Sequence, residues 1–184
     1  MAEPVWDYPE DVPAVVDRLT RLQNVRPAAF TRLFLGVTTT VLDQLYQGRF
    51  AGPQFVSCLT VELAARYFDA LRGFRLGGTA CPRVWRALFT GGEPARGVHA
   101  QVHYDLPFAL VSTLDHIGSS PVDDTDQHRD HLRFVELFPD PPRDDGRPWD
   151  DGRPRDDAWR TAQTLWAVRH DLRATAAERE RLDD

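Results

Sequence analysis

The chain contains no lysine; all 22 of its basic residues are arginine. We read this as codon bias of a GC-rich genome, not as function. The 28 acidic residues outnumber the basic ones, for a formal net charge of −6. Basic residues are not interleaved with aromatics, so neither nucleic acid nor an anionic membrane is an expected partner. Cysteine is scarce. Cys58 and Cys81 form no metal or redox motif, and Cys58 reads as core. No apolar run approaches the roughly 20 residues that a membrane helix needs. The opening Met-Ala-Glu-Pro-Val-Trp-Asp is acidic and lacks the apolar core of a secretory signal. A cytoplasmic protein without disulfides is therefore expected. Strand-type alternation is essentially missing. So are a phosphate-cradling glycine loop, a dinucleotide fingerprint and a nucleophile elbow. The Gly-Gly pairs at 77–78 and 91–92 read as turns.

What is present is helical periodicity over 184 residues, a length that suits one domain with a sizeable core, 1–184. The pattern predicts an all-α, single-domain bundle of about seven helices. The first spans 9–23, with Val12, Val15, Val16, Leu19 and Leu22 on one side. The second spans 27–47, with Pro27 in its first turn and Gly48 closing it. Its stripe is Phe30, Phe34, Val37, Val41 and Leu45. The third, 53–74, is apolar nearly all round and is expected to be central and buried, ended by glycines at 73, 77 and 78. Pro82 starts a short fourth helix with Trp85, Leu88 and Phe89. The fifth runs 94–117 and should kink at Pro107. The sixth runs 125–138, capped by Asp123 or Asp124. The segment 139–156 is charged and proline-rich, and carries Asp-Asp-Gly-Arg-Pro twice, at 144–148 and 150–154. It reads as a disordered surface loop. A last helix begins near Asp156, docks through Trp159, Ala162, Leu165, Trp166 and Val168, and frays at its charged end.

The most informative stretch is His99-Ala-Gln-Val-His-Tyr-Asp-Leu-Pro107, which sets polar groups into an apolar helical pattern. Polar groups placed there must be hydrogen-bonded, bound to metal, or used. At about 100° per residue, His99 and His103 share one face, while Gln101 and Asp105 share another. His103 and Asp105 point about 160° apart, so an undistorted helix cannot aim both at one metal. Val98, Val102 and Ala109 surround the Asp105 direction, which puts Asp105 toward the core. Its buried carboxylate needs a donor or cation, for which Arg66 and Tyr67 are the candidates. It is either a structural hub joining helices three and five or a general base.

His99 and His103 have the i, i+4 spacing of a metal-ligating pair, without the glutamate of zinc proteases. Two partly exposed histidines on a helix flank would give the same pattern. In the sixth helix Asp124, His128 and His131 fall on the face that carries Leu132, Val135 and Phe138. If that face meets helix five, His128 or His131 could approach His103 or Asp105 across a cavity. Glu62, Arg66 and Asp69 read as an ion-pair ladder. Thr38, Thr39 and Thr40 could offer hydroxyls, though in a helix these usually bond back to carbonyls.

A set of residues in order resembles a bacterial family, domain of unknown function 5995. The set is Val37-Thr38, Gly48-Arg-Phe50, Phe55, Leu59, Ala65-Arg-Tyr67, Ala70, Pro82, Trp85, Asp105-Leu-Pro107, Gly118 and Ala158-Trp159. The resemblance implies an all-helical single domain and no established activity. The family pattern in the fifth helix is Asn-x-His-x-Asn-x-Asp-Leu-Pro. Here His99, Gln101 and His103 stand where that pattern has Asn, His and Asn. His131 and Glu136 stand where it implies Asp and Asn. The apolar frame is kept and the polar set is rewritten.

The expected site is a polar-lined pocket between helices two, three, five and six. The leading expectation is a cofactor-free acid–base enzyme of specialised metabolism, a cyclase, isomerase or hydrolase acting on a small, largely apolar molecule. Asp105, His103 or His131 would carry the proton and Gln101 would donate a hydrogen bond. Tyr67, Thr38, His99, Tyr104 and His128 would contact substrate. One alternative is a zinc- or iron-dependent hydrolase or oxygenase using His99, His103, His128 or His131 with a carboxylate. Another is a non-catalytic small-molecule binding or partner protein. The oligomeric state stays open.

Overall fold

A computed structural model of the chain describes residues 8–77, 80–139 and 153–183, without the side chains of 153–155 and 172. Among these residues every regular element is helical. Helix α1 (Val12–Leu22) starts at Asp11, whose carboxylate accepts from the Ala14 N–H at 2.8 Å. Its buried Val12, Val15 and Leu19 lie along α2 (Ala28–Tyr46), whose stripe of Phe30, Phe34, Val37 and Val41 is buried as its spacing predicts. Pro27 sits one place earlier than expected, at the N-cap. Gly48 closes α2 at φ 64°, freeing its N–H for the Leu45 carbonyl and that of Arg49 for Gln44.

Helix α3 (Pro53–Arg75) is the central one, burying Phe55, Val56, Leu59, Leu63, Ala64, Tyr67, Phe68 and Leu71. Gly73 does not end it. A Cβ there would meet the Cys81 backbone nitrogen at 3.3 Å, so this glycine lets the following chain pass close. Gly77, at φ 68°, makes the stop. Gly78 lies outside the described residues. Helix α4 (Arg83–Phe89) plugs Trp85 into an aromatic cluster. Its ring lies 5.5 Å from Phe30, 5.3 Å from Tyr67 and 5.7 Å from Phe89. Each such ring contributes about 1.5–3 kcal/mol through burial.

The fifth predicted helix is one rod of three parts: α5 (Pro94–His99), a π-helical turn (Ala100–Asp105) and α6 (Leu106–His116). Gly97 lets α5 press on α2, since a Cβ there would lie 2.3 Å from the Phe30 ring. Helix α7 (Asp126–Val135) donates Asp130 to the start of α3. That buried carboxylate accepts the N–H groups of Ala51 at 3.2 Å and Gly52 at 2.6 Å. The N–H groups of the N-cap and of the residue before it are thus met from another helix.

Helix α8 (Arg153–Val168) lies along α6 through buried Trp159, Ala162 and Leu165. It begins before the expected Asp156. Most of the expected loop at 139–156, with the first Asp-Asp-Gly-Arg-Pro copy, lies outside the described residues. Where a frayed end is expected, the described residues continue in a helix to Asp183. Asp171 caps a further helix, α9 (Leu172–Asp183), by accepting from the N–H groups of Arg173 and Ala174. Counting 94–116 as one rod, the described residues hold eight helices instead of about seven. None is long and apolar enough to cross a membrane.

Candidate functional site

The motif around Asp105 falls on the π-helical turn. The Leu106 N–H reaches back five residues to the Gln101 carbonyl. Pro107 accounts for the place: lacking an N–H, it is tolerated in the first turn of a helix, and α6 begins anew just before it. The rod therefore carries a π turn over 100–105, just ahead of Pro107. Single π turns of this kind occur mostly inside α-helices, and frequently at functional sites.

Asp105 faces the core, 4 % exposed. The Trp85 indole Nε1–H donates to its Oδ2 at 2.8 Å. Burial lifts the carboxyl to about 7, against the opposing pull of Arg66, the Trp85 bond and Arg179; Asp183 adds to the lift. Of the two partners expected from the sequence, Arg66 acts through its charge. Tyr67 is turned away, its hydroxyl sharing a 2.7 Å hydrogen bond with Thr31 Oγ1. Burial pushes the Tyr67 phenol up to about 12.

Arg66 reaches out of α3 toward α6. Its Nη2 donates to Ser112 Oγ at 3.1 Å and lies 3.7 Å from Glu62 Oε2. Its Nε is buried with no hydrogen-bond partner. Burial lowers its pKa, and the charges of Asp105 and Glu62 resist. Helix α9 closes the other side. The Arg179 guanidinium lies 5.0 Å over the Phe108 ring, and that of Arg66 lies 5.9 Å from the same ring. Asp183 Oδ1 accepts the Val84 N–H at 3.0 Å. Tyr104 is buried beside them, its phenol raised to about 12 by burial and by Asp183. Sequence reasoning missed Trp85 as the donor and missed Arg179 and Asp183. The capping Asp171 and the Glu178–Arg181 pair were the signal that the C-terminus stays helical.

Gln101 is fully buried. Its Nε2 points at the Leu63 carbonyl, 3.5 Å away, and its Oε1 has no hydrogen-bond partner. His99 is exposed and His103 half-buried, with ring centroids 4.7 Å apart. Burial and the neighbouring His99 lower His103 to about 4, which keeps it neutral at pH 7. Thr38 is buried and bonds back to the Phe34 carbonyl at 2.8 Å, the ordinary fate of a helical threonine.

His128 and His131 gather around a different residue, Trp159 of α8, at ring distances of 4.8 and 5.4 Å. His128 Nδ1 accepts the Asp124 N–H at 3.1 Å, so that nitrogen carries no proton. Nε2–H then donates to Asp156 Oδ1 at 3.0 Å. Both ring nitrogens are occupied. Helix α7 is capped by Thr125, not by Asp123 or Asp124. Asp123 instead receives Trp159 Nε1–H at 3.1 Å and Gln163 Nε2 at 2.8 Å. The four histidines proposed as a metal set are thus split between two places. Among the described residues no group of three or more His, Cys, Asp or Glu is placed to hold a metal.

Where a polar-lined pocket is expected between the helices, aromatic side chains crowd together. Phe30, Phe34, Tyr67, Trp85 and Phe89 pack into that space. A cleft of about 630 Å³ lies on the surface, where the end of α2 meets α7. It is lined by Gln44, Gln47, Arg49, Arg133, Glu136 and Leu137. Arg133 Nη1 holds its floor by donating to the Arg49 carbonyl at 2.8 Å.

No curated protein and no solved structure matches the chain. A family model described as a family of unknown function matches residues 12–140. That range contains Arg66, Trp85 and the whole π turn, while Arg179 and Asp183 lie beyond it. With most of its length matched, the chain belongs to the family of unknown function DUF5995.

Proposed function

We propose that the chain is a cofactor-independent acid–base enzyme, one domain throughout, whose proton carrier is Asp105. One observation carries this reading. A buried carboxyl poised near neutrality sits at a π-helical turn, oriented by a single indole donor. A general acid or base works best when its pKa lies near the ambient pH, and burial is how proteins tune a carboxyl there. The reading narrows the proton carrier to one residue. His103 is held neutral down to about pH 4, and His131 belongs to the Trp159 cluster. Cyclisation, isomerisation and hydrolysis of a small molecule all need such a group.

The test is comparative metabolite profiling of a bacterial extract incubated with the wild-type chain, Asp105→Asn and His131→Gln. The proposal expects a conversion made by the wild type, kept by His131→Gln and lost by Asp105→Asn. A conversion that survives Asp105→Asn would overturn it.

The 630 Å³ surface cleft favours a second reading, a non-catalytic binding protein. Its lining includes none of the residues around Asp105. Amide and charged side chains of both signs suit a polar segment of a partner.

A further inference from the structure

The ligand class can be narrowed from the donors around Asp105; this step rests on the acid–base reading. Two guanidinium groups from different helices converge on Phe108, Arg66 from α3 at 5.9 Å and Arg179 from α9 at 5.0 Å. Arg66 keeps a buried Nε–H without an acceptor, while its Nη2 is engaged by Ser112. Arg179 is exposed and makes no ion pair among the described residues; its guanidinium lies over the Phe108 ring. A buried donor without an acceptor costs about 1–3 kcal/mol, so the fold maintains this arrangement against a penalty. Asp105 lies within electrostatic reach of both arginines.

We infer that the substrate carries a carboxylate, which Arg66 and Arg179 grip over the Phe108 ring beside the Asp105 carboxyl. A planar anion matches a guanidinium edge in two parallel hydrogen bonds. Its charge is limited by what is already there. Glu62, Asp105 and Asp183 all lie around the two arginines. A singly charged group offsets the arginines, whereas a dianion such as a phosphate ester would meet three acidic side chains. The route in runs under α9. No α9 side chain described is fully buried, and the contacts that tie it to other helices include the Asp183–Val84 bond, the Thr175 hydroxyl on the Val168 carbonyl and the Arg179–Phe108 contact. A helix held by so few buried contacts opens at low cost.

The experiment is calorimetric titration of the full chain with benzoate, with benzamide as its neutral counterpart, and with inorganic phosphate. Saturable benzoate binding is expected, with no response to benzamide. Arg179→Gln should weaken benzoate at least tenfold, and Arg173→Gln, which changes charge near the start of the same helix, should not. Asp105→Asn should bind benzoate as well as the wild type or better, because a negative charge is removed. Retained binding there would hold even if turnover never depended on Asp105, so the two proposals fail separately. Three results would each overturn the inference: no benzoate binding, equal binding by Arg179→Gln, or phosphate binding as tightly as benzoate.

Discussion

Trp85 and Asp105 share a 2.8 Å hydrogen bond, indole N–H to carboxylate, while the Trp85 ring packs on Phe30 of α2 and Tyr67 of α3. The bond fixes the carboxyl's orientation and favours its charged form, against a burial that favours the neutral one. Replacing Trp85 with Phe keeps a ring and removes the donor. The change should raise the Asp105 pKa above its wild-type value and cost about 1–3 kcal/mol of stability at pH 8, from a buried acceptor left unmatched. Denaturant unfolding at pH 5 and pH 8 checks it, with the smaller loss expected at pH 5, where the acid is protonated.

Asp105 also makes stability fall as pH rises. Its folded pKa, about 7, lies above the ordinary 3.8, so between these values the folded state holds the proton more tightly. Its destabilising effect starts above pH 4 and is complete a little above pH 7. Asp105→Asn cannot ionise, so it should gain stability on the wild type across this window, by a few kcal/mol at pH 8. A stability difference that stays flat from pH 4 to 8 would refute this.

His103 works in the opposite direction. Its folded pKa, about 4, lies below the ordinary 6.5, so acid favours the unfolded chain as pH falls from 6.5 toward 4. His103→Gln should therefore unfold at higher denaturant than the wild type at pH 5. At pH 8, where the histidine is neutral in both states, that advantage should vanish.

Gly97→Ala tests the packing of the rod that carries Asp105. The new methyl would lie 2.3 Å from the Phe30 ring, and Phe30 is fully buried among Phe34, Tyr67 and Trp85. Overpacking of this kind costs about 1–3 kcal/mol or more. The melting temperature should drop by several degrees. Gly36→Ala, where nothing lies within 4 Å of the added atom, should leave it unchanged or raise it.

The elements with a clean stripe were legible in the sequence. Phe30, Phe34, Val37 and Val41 gave α2, and the nearly continuous apolar pattern of 53–74 gave the central α3. The inward direction of Asp105 followed from Val98, Val102 and Ala109. The π turn was not legible, because a five-residue backbone step leaves no mark in a 3.6-residue period. Trp85 was read as core, and its N–H reaching Asp105 depends on how α4 docks. His131 is buried and His128 partly buried, and what they meet is Trp159 of α8, while Asp124 is exposed ahead of the helix. Helix α9 has no apolar stripe. Asp171 and its contacts with Phe108 and Val84 hold it, so its charged sequence read as a frayed end.

The most direct measurement is an NMR titration of the Asp105 carboxyl carbon in the full chain, assigned by its loss in Asp105→Asn. The account predicts a midpoint near 7, moving upward in Trp85→Phe. A midpoint near 4 would mean that Asp105 is an ordinary ionised carboxylate at neutral pH, and would contradict its role as the proton carrier.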